Sequence, residues 1–178
     1  MCIRDRENVL REIVTQVEGN QLVVRVKHGV ILGNHEPVTV YISAPGVSGL
    51  DVSGSGNLFT ANTWNGSDLS ATISGSGSIN LSAVSTGRLS ANISGSGTIK
   101  AASGMSSRED LKISGSGTID LRSVEAGNVF TTTSGSGETY LHATNLLDAT
   151  ISGSGNVWYY GTPAINTHIS GSGNLRRM

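Results

Sequence analysis

From Leu69 onward every second residue is apolar or glycine: Leu69, Ala71, Ile73, Gly75, Gly77, Ile79, Leu81 and Ala83. A period of two predicts β-strand with one face buried. The frame returns at Leu89, Ala91, Ile93, Gly95, Gly97, Ile99 and Ala101, and again at Leu111, Ile113, Gly115, Gly117, Ile119 and Leu121. At its centre stands Ser-Gly-Ser-Gly, which begins at Ser53, Ser74, Ser94, Ser114, Ser134, Ser152 and Ser170, at intervals of 21, 20, 20, 20, 18 and 18 residues. By composition alone the tetrapeptide is a flexible linker. Its aliphatic flanks contradict that, because they carry strand parity straight through it.

On this parity the glycine pairs Gly54 and Gly56, Gly75 and Gly77, Gly95 and Gly97, Gly115 and Gly117, Gly135 and Gly137, Gly153 and Gly155, and Gly171 and Gly173 all face inward. Paired glycines on a buried face mark a bend or a close approach of backbones, here read as a gentle corner between two strands of one coil. The serines point outward and, in coils stacked about 4.8 Å apart, form two ladders whose hydroxyls can bond above and below. After each second strand comes a variable stretch with one apolar residue near its middle, Val84, Met105, Val124 or Leu146, expected to fill a third side. Two strands and a short third side per repeat describe an all-β fold, a single-stranded parallel β-helix (β-solenoid) of about seven coils of 18–21 residues. Its core is a column of Ile, Leu, Val and Ala roughly 30 Å long. Arg176 and Arg177 at the last coil suit an end that must discourage strand pairing.

The first part of the chain reads differently. Val9, Ile13 and Val17, widened by Leu10 and Val14, are spaced for a short helix, and Glu18 to Asn20 form a turn into the alternating strand Gln21–Lys27. Pro37–Pro45 alternates likewise before Pro45-Gly46 breaks it. These segments are expected to make irregular first coils. Residues 1–7 fit no pattern in the rest of the chain and read as a non-native or truncated start, which leaves residues 8–178 as one solenoid domain with repeats from about residue 50.

Composition narrows the function. Charged residues are 14% of the chain and the formal net charge is -1, so the basic footprint of nucleic-acid binding is missing. Cys2 is the one cysteine, and Cys2, His28, His35, His142 and His168 have no zinc-ligand spacing. No metal or other cofactor is implied. The chain has no apolar run of the ~20 residues that cross a bilayer, so direct membrane insertion of this fragment is not expected.

Catalysis on a β-helix needs carboxylates and a base gathered on one groove. Here the acids scatter, and Lys100 and Asp120, which share a column, read as an exposed cross-strand pair. The repeat also lacks the Asp of calcium-binding rolls, and the chain shows no nucleophile elbow or phosphate loop. The outward column three residues after each second glycine reads Phe59, Asn80, Lys100, Asp120, Tyr140, Trp158 and Arg176, and the column five after reads Ala61, Ser82, Ala102, Arg122, His142 and Tyr160. Tyr140, His142, Trp158 and Tyr160 therefore gather at one end as a candidate flat platform for a sugar ring or a protein. The alternative is that aromatic residues simply favour strands.

Several segments in order resemble one known family: Asn8-Val-Leu, Gly19-Asn-Gln-Leu-Val-Val, Pro37-Val-Thr-Val-Tyr-Ile, Gly49-Leu-Asp-Val-Ser-Gly-Ser-Gly56 and the Ile-Ser-Gly-Ser-Gly repeats. Asn156–Pro163 and Ile169–Leu175 resemble the family's usual ending. The family is the auto-transporter adhesin head GIN domain (DUF2807), and the resemblance covers roughly residues 8–177. It implies a right-handed parallel β-helix, a bacterial and Bacteroidetes-like source, and a place at the cell envelope or outside the cell. It supplies no binding residues. The expected function is non-catalytic adhesion to carbohydrate or host or cell-surface protein partners. The runner-up is a passive envelope protein that self-associates as a homo-oligomer, and a polysaccharide-acting enzyme comes third.

Overall fold

A computed structural model of the chain describes residues 2–4, 11–30 and 38–178, and among these the regular elements are all strands. Contacts divide the chain into two compact units, Met1–Pro45 and Gly46–Met178.

In the first unit β1 (Cys2–Arg4) pairs antiparallel with β4 (Thr39–Tyr41), and β2 (Ile13–Glu18) pairs antiparallel with β3 (Gln21–Val26). The helix expected over Val9–Val17 is thus a strand from Ile13 onward, while Val9 and Leu10 lie outside the described residues. Ile13, Val14, Thr15 and Val17 are β-branched, which weakens a helix and favours a pleated partner. That partner begins after a loop of two residues, and Gly19 at φ +61° supplies the positive φ that the first position of a two-residue hairpin loop demands. Because the pairing is antiparallel, these segments are a hairpin and a separate strand pair. They are not the irregular first coils expected of them.

The second unit is the solenoid. Upstream of the corners run β5 (Gly49–Gly54), β7 (Thr63–Gly75), β9 (Ala83–Gly95), β11 (Gly104–Gly115) and β15 (Ala164–Gly171). Downstream run β6 (Asn57–Phe59), β8 (Ser78–Leu81), β10 (Thr98–Ala101), β14 (Asn156–Tyr160) and β16 (Asn174–Arg177). In β12 (Thr118–Gly135) and β13 (Glu138–Gly153) the strand after one corner continues unbroken to the next. The twelve strands pair parallel, coil on coil, with Leu69↔Leu89, Ala71↔Ala91, Ile73↔Ile93 and Ser74↔Ser94 in register. The seven corners are joined by six full turns, one fewer than the seven coils counted from the repeats. The shorter 18-residue turns are absorbed on the third side, where the β12–β13 register shifts between Asp120 and Glu125 and again between Ala126 and Asn128.

The core is the predicted set of columns. Ile73, Ile79, Leu89, Ile99, Ile119, Leu141 and Ile151 are all buried. The third side is packed less simply than expected. Val84 and Val124 are buried, but Gly104 pairs with both and takes the inward position, which turns Met105 outward at 65% exposure. Leu146 pairs with Asn128 and Ala164 and is half-buried.

The two glycines of each corner do different jobs, which corrects the expectation that both face the core. Gly115 is half-buried at φ +125°, and a Cβ there would stand 2.4 Å from the carbonyl oxygen of Gly95. That oxygen already accepts the Ser116 N–H at 2.9 Å. Gly117 is buried, and a Cβ on it would stand 2.6 Å from Ile93 Cγ2. The first glycine therefore turns the chain and lets backbones touch, while the second leaves room for the isoleucine of the preceding coil. Main-chain bonds such as Ser116 N–H to Gly95 and Thr118 N–H to Gly97 tie the corner columns together. The serine hydroxyls stay on the exposed face.

One coil breaks the apolar pattern. Thr131, Thr133 and Thr139 stand where neighbouring coils carry Leu111, Ile113 and Ile119, and all three are buried with hydroxyls that have no protein partner. Unpartnered buried hydroxyls cost on the order of 1–3 kcal/mol each. Thr133→Ile combined with Thr139→Ile removes two of these hydroxyls, restores the neighbours' side chains and should raise the urea midpoint by an amount worth about 2–6 kcal/mol. A lowered midpoint would instead mean that ordered water satisfies these hydroxyls.

Candidate functional site: an aromatic and arginine wall

Parity sends alternate residues of β12, β13, β14 and β16 outward, and parallel register lines them up. Asp120 pairs with Tyr140, Tyr140 with Trp158, and Trp158 with Arg176, while His142 pairs with Tyr160. The four aromatic and imidazole side chains expected at one end do lie on adjacent outward positions, each half-buried. The second column departs from expectation, because the register shift after Asp120 aligns His142 with Glu125 rather than with Arg122.

The rings are not a bare platform. Tyr140 and Trp158 are stacked, with planes 9° apart and centroids 6.3 Å apart. Arg122 Cζ lies 4.2 Å from the centroid of Tyr140, over its face, and Arg176 Cζ lies 5.5 Å from that of Trp158. Such cation–π contacts are worth about 0.5–1 kcal/mol at exposed sites. Arg122 is held in place because its Nε donates to Asp120 Oδ1 at 2.7 Å, a bond that also raises its pKa. Lys100 and Asp120 do stand opposite each other on β10 and β12, as the shared column predicts, while the ion pair that Asp120 makes is with Arg122.

Tyr140 Oη donates to Glu138 Oε2 at 2.9 Å, and this bond is the main reason its phenol titrates above the usual range. His142 and Tyr160 sit beside this stack with centroids 6.3 Å apart and planes tilted by 56°. Trp158 Nε1 is buried and has no partner. The wall therefore presents ring edges, two guanidinium groups, an imidazole and carboxylate oxygens. That equipment suits hydrogen bonding to a polar ligand. Among the described residues no group of three His, Cys, Asp or Glu side chains is placed to hold a metal, and no helix is long and apolar enough to cross a membrane.

The model of the family described as "Putative auto-transporter adhesin, head GIN domain" (DUF2807) matches residues 1–163. The chain belongs to this family. Solved structures similar to this head GIN domain include a putative adhesin from Bacteroides fragilis (TM-score 0.93, 23% identity, covering 99% of this chain and 81% of that one). Another is a putative lipid binding protein from Parabacteroides distasonis (TM-score 0.82, 27% identity, covering 99% and 82%). A third is a putative adhesin from Parabacteroides merdae (TM-score 0.77, 23% identity, covering 99% and 82%). No curated protein matches the chain.

The head GIN domain also holds charged groups that a search for patterned acids passes over. Arg88 Nε and Arg108 both donate to Asp110, at 2.7 Å in the shortest contacts, and Arg108 Cζ lies 4.2 Å over Phe130. These bonds, that from Arg108 first, hold the Asp110 carboxyl below the usual carboxylate range. Glu109 is fully buried among apolar neighbours. Its column, eight residues before each second glycine, reads Leu69, Leu89, Glu109, Val129, Leu147 and Ile165. Desolvation pushes its pKa up to about 8, with the Ser106 hydroxyl opposing at 3.2 Å from Oε1, and Oε2 has no partner. The signal was present in the sequence as one acid in an aliphatic column.

Proposed function

We propose that this head GIN domain is a non-catalytic binding module of the bacterial cell envelope that meets carbohydrate or protein partners through Tyr140, His142, Trp158 and Tyr160, with Arg122 and Arg176. The observation that carries this reading is the stacked Tyr140–Trp158 pair with a guanidinium over a face of each ring. Stacked rings and an arginine tied to a carboxylate, as Arg122 is to Asp120, lose little entropy on binding, which is what a recognition surface needs. Membership of an adhesin family supports the envelope location. The remaining outward columns are largely Ser, Thr and Asn.

The test is binding to a panel of glycans and surface proteins, with lipid vesicles as a further arm. Trp158→Ala is expected to weaken the recognised ligand at least tenfold while the melting temperature moves little, since loss of an aromatic hot spot costs about 2 kcal/mol or more. Undiminished binding would remove the wall from the account. Self-association is a second reading, favoured by β15, which pairs on one side with β13 and is exposed along all eight residues, Ile165 and Ile169 included. A mass that grows with concentration, and falls to the monomer's in an Ile169→Lys variant, would support it.

A further inference from the structure

An open cavity of about 360 Å³ lies at the third-side bend of β7, β9 and β11, on coils that precede the Tyr140–Trp158 wall. We propose that this cavity is a second ligand site, one that takes a neutral polyhydroxylated molecule such as a pyranose ring.

Its floor is the register column Gly66↔Thr86↔Ser106, and Ser85, Met105 and Ser107 stand around it. The lining offers the Ser85 and Ser107 hydroxyls, a thioether and glycine backbone, and no charged side chain, while the floor hydroxyls of Thr86 and Ser106 donate to Ser67 O and Glu109 Oε1 and keep only acceptor capacity. The nearest arginines, Arg88 and Arg108, are turned to Asp110. Neutral donors and acceptors beside an exposed apolar group match a sugar, whose ring carries hydroxyls at its edge and C–H groups on its face. The volume falls at the lower end of the ~300–1,000 Å³ usual for small-molecule sites.

Three details favour a site over a chance dent. Met105 is 65% exposed, placed there because Gly104 takes the inward position, and a flexible thioether adapts to a ligand's apolar face. Position 66 carries glycine where the next coils carry Thr86 and Ser106, and a Cβ there would meet nothing within 4 Å except Trp64 Nε1 at 3.6 Å. That indole N–H is buried at the edge of the opening and has no partner. The site rests on the reading of this domain as a binding module but shares no residue with the wall, so either can fail without the other.

The chain has two tryptophans, so Trp158→Phe leaves Trp64 as the sole indole reporter and removes the wall's indole in the same step. This protein is titrated with glucose, galactose, mannose, N-acetylglucosamine and glucuronate, and Trp64 emission is followed. The expected result is a saturable change with at least one neutral sugar, half-complete at about millimolar concentration, and no tighter response to glucuronate. Adding Gly66→Leu, which fills the opening, should weaken that response at least tenfold. Ser85→Ala with Ser107→Ala, both exposed and unable to disturb the core, should weaken it severalfold. No saturable response to any sugar, or a response unaltered by both sets of substitutions, would overturn the proposal.

Discussion

Glu109→Leu should raise the free energy of unfolding at pH 7 by about 3 kcal/mol. The carboxyl occupies a position that is leucine or valine on the adjoining coils, and its burial lifts the pKa from 4.5 to about 8. A folded pKa above the unfolded one means that stability is fully present below about pH 4.5 and is lost as pH rises through the folded value. Between those limits the unfolded chain ionises while the folded one stays protonated, which costs about 1.4 kcal/mol per pH unit. The loss reaches about 5 kcal/mol near pH 8 and then levels off. Charged groups on the neighbouring elements do not offset it. Arg88, Lys100, Arg108, Asp110, Lys112, Asp120, Arg122 and Glu125 all lie on outward positions, and none contributes to the Glu109 shift. Asp110 acts in the opposite sense, because its depressed pKa gives stability that is lost as pH falls. The difference between wild type and Glu109→Leu isolates the buried carboxyl. Urea unfolding from pH 4 to 9 should show the gap between the two widening with pH. A constant gap, or a less stable variant at pH 7, would refute the buried placement of Glu109.

Gly115→Ala is expected to cost about 3–5 kcal/mol, combining a strained positive φ with a Cβ driven onto a backbone oxygen. Gly117→Ala meets the side-chain methyl Ile93 Cγ2 first, at 2.6 Å, and then Gly97 O at 2.8 Å, and should cost about 1–3 kcal/mol. The two are told apart by adding Ile93→Ala. Truncating Ile93 opens room for a Cβ on Gly117, so the combined cost should be clearly less than the sum, whereas with Gly115→Ala the costs should add. Additivity at both positions would mean that the second glycine does not serve the isoleucine of the preceding coil.

Much of this fold can be read from the chain because period-two parity passes unbroken from Leu69 to Leu81 and from Leu89 to Ala101, and buried residues follow it. It misleads where the backbone leaves the pleat. A residue at φ +125° still counts as one step, so Gly115 took the same inward parity as Gly117. On the third side Gly104 replaces a valine, and the neighbouring methionine looked like its substitute. Glu109 does not stand out along the chain, where it sits between Arg108 and Asp110, and its meaning appears only across coils, where its neighbours are Leu89 and Val129. The wall residues were legible from their columns. The arginine covering Tyr140 was not, since the direction of a long side chain is set by its ion pair with Asp120 and not by strand parity.

The most direct test of the account is its register. In a Cys2→Ser background, which removes the chain's one cysteine, cysteines replace the outward residues Asn92, Lys112 and Thr132 in pairs. Asn92 pairs with Lys112, and Lys112 with Thr132, on successive coils. Adjacent strands stand about 4.8 Å apart, inside the 4.4–6.8 Å Cα range of disulfides, and alternate ones about 9.6 Å apart. Under mild oxidation the 92–112 and 112–132 pairs should close within the monomer and the 92–132 pair should stay open. Closure of 92–132, or failure of both adjacent pairs, would contradict a solenoid stacked one repeat per coil.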